Sequence, residues 1–360
     1  MNKKLKIAII GSRGYPYVYS GYETLVKELS ERLVKKGHNV RVYCHRSLFY
    51  SKPNNINGIE LVYTPSIQTK SLSQFTNSFF SFLHVCLYKV DIILVLNSAN
   101  GPFGLITKIF GIKTCINVDG LEWLRPKWKG LGSFYFKFSS KLSTLFFDEI
   151  ITDSIEMKNI YRSRYNRFST VIAYGSTMVK CIKYSKYLNN YNLKKNDFYL
   201  IVGRLIPDNN VDLIINGYIK SNTSKKLVVV GDVPYKDDYS RYVKSKANNK
   251  IKFLGYVRDQ EQLTILYKNS YCYIHGHEFG GTNPTMINAL DLNCKIIALN
   301  TVFNKEMLIN KKSILFEKNI KSISKTIDLV DINKESIDKD YVLPEKFCWD
   351  NIANSYLKLI

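Results

Sequence analysis

Twice along this chain of 360 residues, short apolar runs alternate with stretches whose apolar residues recur every three or four positions, and that double alternation leaves few folds open. In the first half the runs fall at residues 5–10, 40–44, 60–63, 91–96, 113–118, 149–152 and 169–173. Helical spacing is read between them at 22–37, 72–88, 103–110 and 155–164, with Leu25, Val26, Leu29 and Leu33 on one face of the first and Gly37 to stop it. The second half restarts with runs at 199–202, 226–230, 251–254, 271–274 and 295–299. Strands alternating with helices predict parallel sheets covered on both faces, an α/β fold. A chain of this length exceeds what one core normally serves, so two domains are expected, 1–176 and 198–345. Residues 177–197 lose the apolar pattern and read as a linker; 346–360 carry Trp349, Ile352, Tyr356 and Leu359 at helical spacing.

In parallel sheets ligands bind beyond the carboxyl ends of the strands. The most informative such loop in the second half is in YCYIHGHEFGGTNPTMINAL, 271–290. Gly280 and Gly281 permit a tight turn, Asn283 is a good N-cap and Pro284 a good first helical residue, so amide groups and a positive dipole end face the loop. The same residues also suit a plain strand-to-helix turn. In the first half four loops qualify, 11–23, 97–101, 119–129 and 153–154. The third, VDGLEWLRPKWK with its leading valine, puts Asp119 and Glu122 at a strand end beside Trp123, Arg125 and Trp128. Flat rings beside carboxylates and cations suit a sugar-binding cleft; a helix cap with surface aromatics is the alternative. The turn after the first strand, Gly11 to Gly14, lacks the G-x-G-x-x-G spacing of a dinucleotide site. Arg204, just past a strand, is placed to neutralise a phosphate, though a lone arginine is more often a surface cation.

Charge narrows the partners. The balance of 52 Lys+Arg against 30 Asp+Glu gives +22, which suits phosphate-bearing substrates or anionic lipid. Basic residues are scattered with no run of five or six, which argues against a nucleic-acid arm, so no nucleic-acid partner is expected. The 7 cysteines are widely spaced without a C-x-x-C pair, as in reduced, buried thiols. The 18 uncharged residues between Lys70 and Lys89 are too polar to span a bilayer. Residues 125–141 mix five basic residues with Trp128, Phe134, Tyr135, Phe136 and Phe138, a pattern shared by membrane-surface helices and core-packed helices.

GRLIPDNN after a strand, VVVGD, IKFLGYV and GHEFGGTNPTMINAL at these intervals resemble the donor-binding half of a family-4 glycosyltransferase of GT-B fold. IAIIGSRGYP, SGYETLVKELSERLVKKGHNVRVYCH and NVDGLEWLRPKW resemble a bacterial branch of it that includes rhamnosyltransferases of capsule and cell-surface polysaccharide assembly. The resemblance, over nearly the whole chain, implies two Rossmann-like domains with parallel sheets facing across a cleft. It implies donor contacts from Gly14, Ser20, Gly21, Gly203, Arg204, Asn209, Gly280, Gly281, Thr282, Asn283 and Asn288. Acceptor contacts are implied for Glu23, Asp119, Glu122, Trp123 and Arg125, with catalysis centred on Asp119 and Arg204. Three positions depart from the wider family: Asn209 stands for a lysine, and Gly280 and Asn288 for two glutamates. Asn288 keeps an acceptor oxygen and loses the charge.

The activity implied is retaining transfer of a sugar, without metal or other cofactor. The implied donor is dTDP-L-rhamnose and the acceptor a saccharide on a lipid carrier, at the inner face of the membrane, where the protein would be cytoplasmic and peripherally bound to an anionic surface. A UDP-hexose or UDP-N-acetylhexosamine donor, and a catalytically degenerate binding protein, stay open beside it.

Overall fold

The computed structural model describes residues 3–16, 21–67, 69, 72–118, 120–125, 128, 130–179, 186–233, 236–333 and 341–360. The chain divides into two compact units, Met1–Gly175 with Glu345–Ile360, and Ser176–Pro344.

The first unit runs β1 (Lys6–Ile10), α1 (Gly21–Lys35), β2 (Asn39–His45), β3 (Asn55–Ile56), β4 (Ile59–Thr64), α2 (Leu72–Val85), β5 (Ile92–Leu96), α3 (Gly104–Ile109), β6 (Thr114–Asn117), α4 (Leu131–Phe146), β7 (Glu149–Thr152), α5 (Ile155–Tyr165) and β8 (Thr170–Val171). Its eight-stranded sheet has the order β3-β4-β2-β1-β5-β6-β7-β8, parallel except at the β3/β4 edge. All five residues of β5 are buried, which is why it reads as an unbroken apolar run and not as an alternation. Each such Ile, Leu or Val contributes about 1.5 to 3 kcal/mol of burial free energy. Leu25, Val26, Leu29 and Leu33 of α1 all turn inward. Asn166, at φ 49°, ends α5 in the left-handed conformation that asparagine tolerates.

The second unit runs β9 (Phe198–Val202), α6 (Val211–Lys220), β10 (Lys226–Val230), α7 (Asp238–Lys244), β11 (Ile251–Gly255), α8 (Gln260–Asn269), β12 (Cys272–His275), α9 (Pro284–Asp291), β13 (Ile296–Leu299), α10 (Val302–Met307), β14 (Ser313–Phe316) and α11 (Ile320–Ile332). Its six strands are all parallel, in the order β11-β10-β9-β12-β13-β14. Tyr199, Ile201, Val229, Ile274 and Ile297 of the sheet pack with Ile214 and Ile215 of α6 and Ile323 and Ile327 of α11.

Part of the stretch read as a linker belongs to this second unit. Lys186–Tyr191 is a short 3-10 helix, Tyr187 and Leu193 are buried, and Lys252 Nζ donates to the Tyr191 carbonyl at 2.7 Å. The last helix, α12 (Trp349–Leu357), returns to the first unit. Its buried Tyr356 hydroxyl accepts from Asn117 Nδ2 at 3.1 Å, and Trp349 covers Gly175 so closely that a Cβ there would lie 2.7 Å from the indole.

Candidate active site

In each sheet the chain leaves one central strand in both directions, and the loops flanking that reversal make a natural crevice. In the second unit the reversal lies between β9 and β12. The loop after β9 holds Gly203, Arg204 and Asn209; the loop after β12 holds His277 to Asn283. Asn209 joins the two. Its Nδ2 donates to the Arg204 carbonyl at 2.7 Å, so its Oδ1 faces His277 Nδ1 at 2.8 Å, and that nitrogen carries the hydrogen. Glu278 N donates to the Asp208 carbonyl at 3.0 Å, and Asn210 Nδ2 to the Gly276 carbonyl at 2.9 Å. The backbones come this close because Gly276 has no side chain: a Cβ there would stand 2.4 Å from the Asn209 carbonyl oxygen. Asn304 pins the second loop from beneath, donating to the His277 carbonyl at 3.1 Å and to the Leu299 carbonyl at 2.9 Å.

Arg204 is half-buried, and its guanidinium has no ion pair or hydrogen bond among the described residues. A cation left unmatched at the end of a central strand is a seat for an anion. Gly280, at φ 127°, makes the turn that precedes α9, and Asn283 caps that helix through Thr285 N at 3.0 Å. Of the amides at this turn, that of Asn283 points to Met307 Sδ at 3.4 Å.

Two expected contacts are occupied within the unit. Asn209 is held by Arg204 and His277. Asn288 Oδ1 accepts from Thr177 N at 3.1 Å and from Ser176 Oγ at 3.4 Å, fastening the segment that enters the unit. A carboxamide can both accept from an amide and donate, here to Thr177 Oγ1 at 3.4 Å, which a glutamate could not. His277, which the motifs alone do not single out, is the added member; the HGH spelling at the strand end is the available signal.

In the first unit the reversal lies between β1 and β5. Glu23, buried in the first turn of α1, accepts from Arg13 N at 3.0 Å and shapes the β1 loop; Gly14, at φ 119°, sits against Cys44, and Gly21 opens α1. Asp119 and Ser20 lie outside the described residues. Glu122, Trp123 and Arg125 do not project as a sugar platform. They are buried, with Glu122 Oε1 2.8 Å from Arg125 Nε and Glu122 Oε2 accepting from Trp128 Nε1 at 3.0 Å. The Arg164 guanidinium lies 5.1 Å from the centre of the Trp123 ring. The three-residue spacing of Glu122 and Arg125 lets the pair close on itself, so these groups satisfy one another within the segment between β6 and α4.

Comparison with known proteins agrees with this layout. Residues 185–339 match the family described as glycosyl transferases group 1, and residues 4–177 match a domain of unknown function, DUF1972. No protein of curated function matches the chain in sequence. Among solved structures it is similar to a sucrose-phosphate synthase from Thermosynechococcus elongatus, with TM-score 0.81 and 15% identity over 99% of this chain and 98% of that one. It is also similar to Anabaena HepE in complex with UDP-glucose, with TM-score 0.70 and 14% identity over 99% and 97%. A third is WaaG, described as a glycosyltransferase involved in lipopolysaccharide biosynthesis, with TM-score 0.67 and 14% identity over 98% and 95%. The chain has a GT-B fold, and its second half carries a glycosyl transferases group 1 domain.

Beneath the α9 turn runs a directed chain of hydrogen bonds. Asn283 Oδ1 accepts from the backbone amide of Thr285 and therefore also accepts the Thr285 hydroxyl hydrogen at 2.8 Å. The Thr285 hydroxyl in turn accepts from Tyr273 Oη at 2.9 Å, which leaves Tyr273 to accept from His275 Nδ1 at 2.9 Å. His275 is thus neutral with its hydrogen on Nδ1, while Nε2 is buried without a partner among the described residues. Burial pushes its pKa down from 6.5 to about 3. Unfolded, the ring binds a proton below about pH 6.5; folded, it does not, so stability falls as pH drops through that window. At about pH 5 the expected loss from this group is about 2 kcal/mol. Urea unfolding at about pH 7 and about pH 5 should show a pH dependence smaller by that amount in His275→Asn; equal dependence in both proteins would refute the assignment.

Proposed function

We propose that this protein is a retaining glycosyltransferase that moves L-rhamnose from dTDP-L-rhamnose onto a lipid-linked saccharide in surface polysaccharide assembly, at the inner face of the membrane. The observation that carries the reading is the Arg204 guanidinium, unmatched among the described residues, at the β9/β12 reversal whose other loop holds the glycine turn that opens α9. There the diphosphate of a nucleotide sugar meets a cation and, from Gly280, Gly281 and Thr282, backbone amides at a helix start. As the bond from the anomeric carbon to the phosphate oxygen breaks, the acceptor hydroxyl bonds to that carbon on the same face and the departing phosphate takes its proton. Arg204 offsets the charge that develops on the leaving group. Asp119 positions the acceptor in this reading. The WaaG description and the sequence resemblance support the surface-polysaccharide setting.

A UDP-hexose donor is the second reading, favoured by the HepE complex with UDP-glucose. The internal bonds of Asn209 and Asn288 favour weak donor binding, the direction in which a degenerate enzyme would also lie. Thermal shift with dTDP-L-rhamnose against UDP-glucose separates the donors: the true one, at a hundred times its dissociation constant, adds about 2.7 kcal/mol. Mass spectrometry of a lipid-linked acceptor incubated with each donor then tests transfer. Stabilisation by neither donor, with no transfer from a wider panel, would sink the proposal.

A further inference from the structure

Two helices of the first unit carry apolar residues on the solvent side as well as the core side. On α4, Leu131, Phe134 and Phe138 follow one another at three- and four-residue steps on the solvent side, with Leu145 two turns further on, Leu131 being 88% and Phe134 67% exposed. Its inward face is Phe136 with Ser139, Ser140 and Ser143. On α2 the outward residues are Leu72, Phe75, Phe79, Phe80 and Leu83, and the inward ones are Phe82 and Val85 with Asn77, Ser78 and Ser81. A helix that faces water normally turns a polar side to it. The serines make the core side work: they let the backbones approach, as at Gly101, where a Cβ would stand 2.0 Å from the Ser139 carbonyl oxygen, and Ser139 Oγ donates to the Ser98 carbonyl at 2.5 Å. Phe75 and Phe79 lean on the buried Phe103, at 4.9 and 6.2 Å between ring centroids, while packing within the unit gives no reason for Phe80, Phe134 and Phe138 to stay exposed.

The rings form one surface. Phe75 of α2 lies 6.4 Å from Tyr135 of α4 between centroids. Lys108 of α3 reaches the Leu145 carbonyl at 2.9 Å, which brings the exposed Leu105, Ile109 and Phe110 alongside. The sequences of α2, α3 and α4 contain no aspartate or glutamate, while Lys108, Lys137 and Lys141 are exposed, Lys141 within the outward stripe of α4. A second copy of the chain would bring lysines against lysines with no carboxylate on this face to match them. An anionic lipid surface meets both properties, taking rings into the acyl boundary and lysines onto phosphates. No helix among the described residues is long and apolar enough to cross a membrane, which fits a face that lies on one.

We propose that the joint face of α2, α3 and α4 docks on the anionic headgroups of a bilayer; the inference deepens the lipid-linked acceptor reading and rests on it for its purpose. The test is co-sedimentation of the full chain with vesicles of phosphatidylglycerol and phosphatidylcholine, and with phosphatidylcholine alone. Binding is expected only to the anionic vesicles and should weaken with salt. It should fall at least about tenfold in Lys137→Glu/Lys141→Glu and in Phe79→Ser/Phe134→Ser, both of which change exposed side chains. Transfer to a detergent-solubilised acceptor is measured on the same preparations. Vesicle binding without any transfer supports the docking face and removes the proposed function alone. Transfer without vesicle binding overturns the docking face and keeps the function. Variants that bind vesicles as well as the parent, or a dimer in solution that Phe79→Ser/Phe134→Ser disperses, also overturn it.

Discussion

Arg204→Ala should lower turnover of the donor by about 100- to 1000-fold while leaving the melting transition within about 0.5 kcal/mol of the parent. The two halves of that expectation have one cause. The guanidinium makes no ion pair or hydrogen bond among the described residues, so its removal strands no buried partner and costs little stability. In the proposed transfer it offsets the charge that grows on the leaving group, and a group that stabilises the transition state more than the ground state acts on kcat as well as KM. Arg204→Lys should recover part of the loss, since an ammonium restores charge without the planar two-pronged geometry. The measurement is kcat/KM on the preferred donor with a melt of each variant. A change of less than about threefold would remove Arg204 from the chemistry.

The second large effect is structural. Gly231, after β10, has φ 130° and packs against the neighbouring strand end so tightly that a Cβ would lie 1.9 Å from the Gly203 carbonyl oxygen. Gly231→Ala therefore has no relaxed solution: either the unit loses at least about 3 kcal/mol, or Gly203 moves and carries Arg204 with it. Both melting temperature and turnover should fall, in contrast with Arg204→Ala. Gly37→Ala is the control, because Gly37 has φ 90° and an added methyl would meet nothing within 4 Å. It should show only the cost of the left-handed backbone, about 1 kcal/mol. Equal losses in the two variants would mean that crowding at Gly203 is not what the glycine serves.

Periodicity carries the reading furthest where one force dominates. The strands at 92–96 and 149–152 and the inward face of α1 follow from apolar burial alone, and each is legible in the sequence. The strand-end rule likewise locates the loops that hold Arg204 and Gly280. β14 and α11 escape it: the strand Ser313–Phe316 is only half-buried for most of its length, so its pattern is faint. α2 and α4 are legible as helices but their orientation is not, because phenylalanine lies on both faces of each and several serines turn inward. At the site, residue type indicates polarity and not partner. Glu122 and Arg125 satisfy each other, and Asn288 holds Thr177; only coordinates reveal such internal matches. His277 becomes visible once Asn209 is seen to fix its tautomer.

The order in which the polypeptide is made differs from the order in which its parts can be finished. Gly175 and Glu345 belong to one unit and bracket the other. At about 5 to 20 residues per second, roughly ten to thirty seconds of translation separate them. Through that interval the nascent amino-terminal sheet lacks Trp349 and Tyr356, and the indole's seat over Gly175 stays open to water or to a chaperone. The inserted unit, by contrast, is contiguous and is free to fold first.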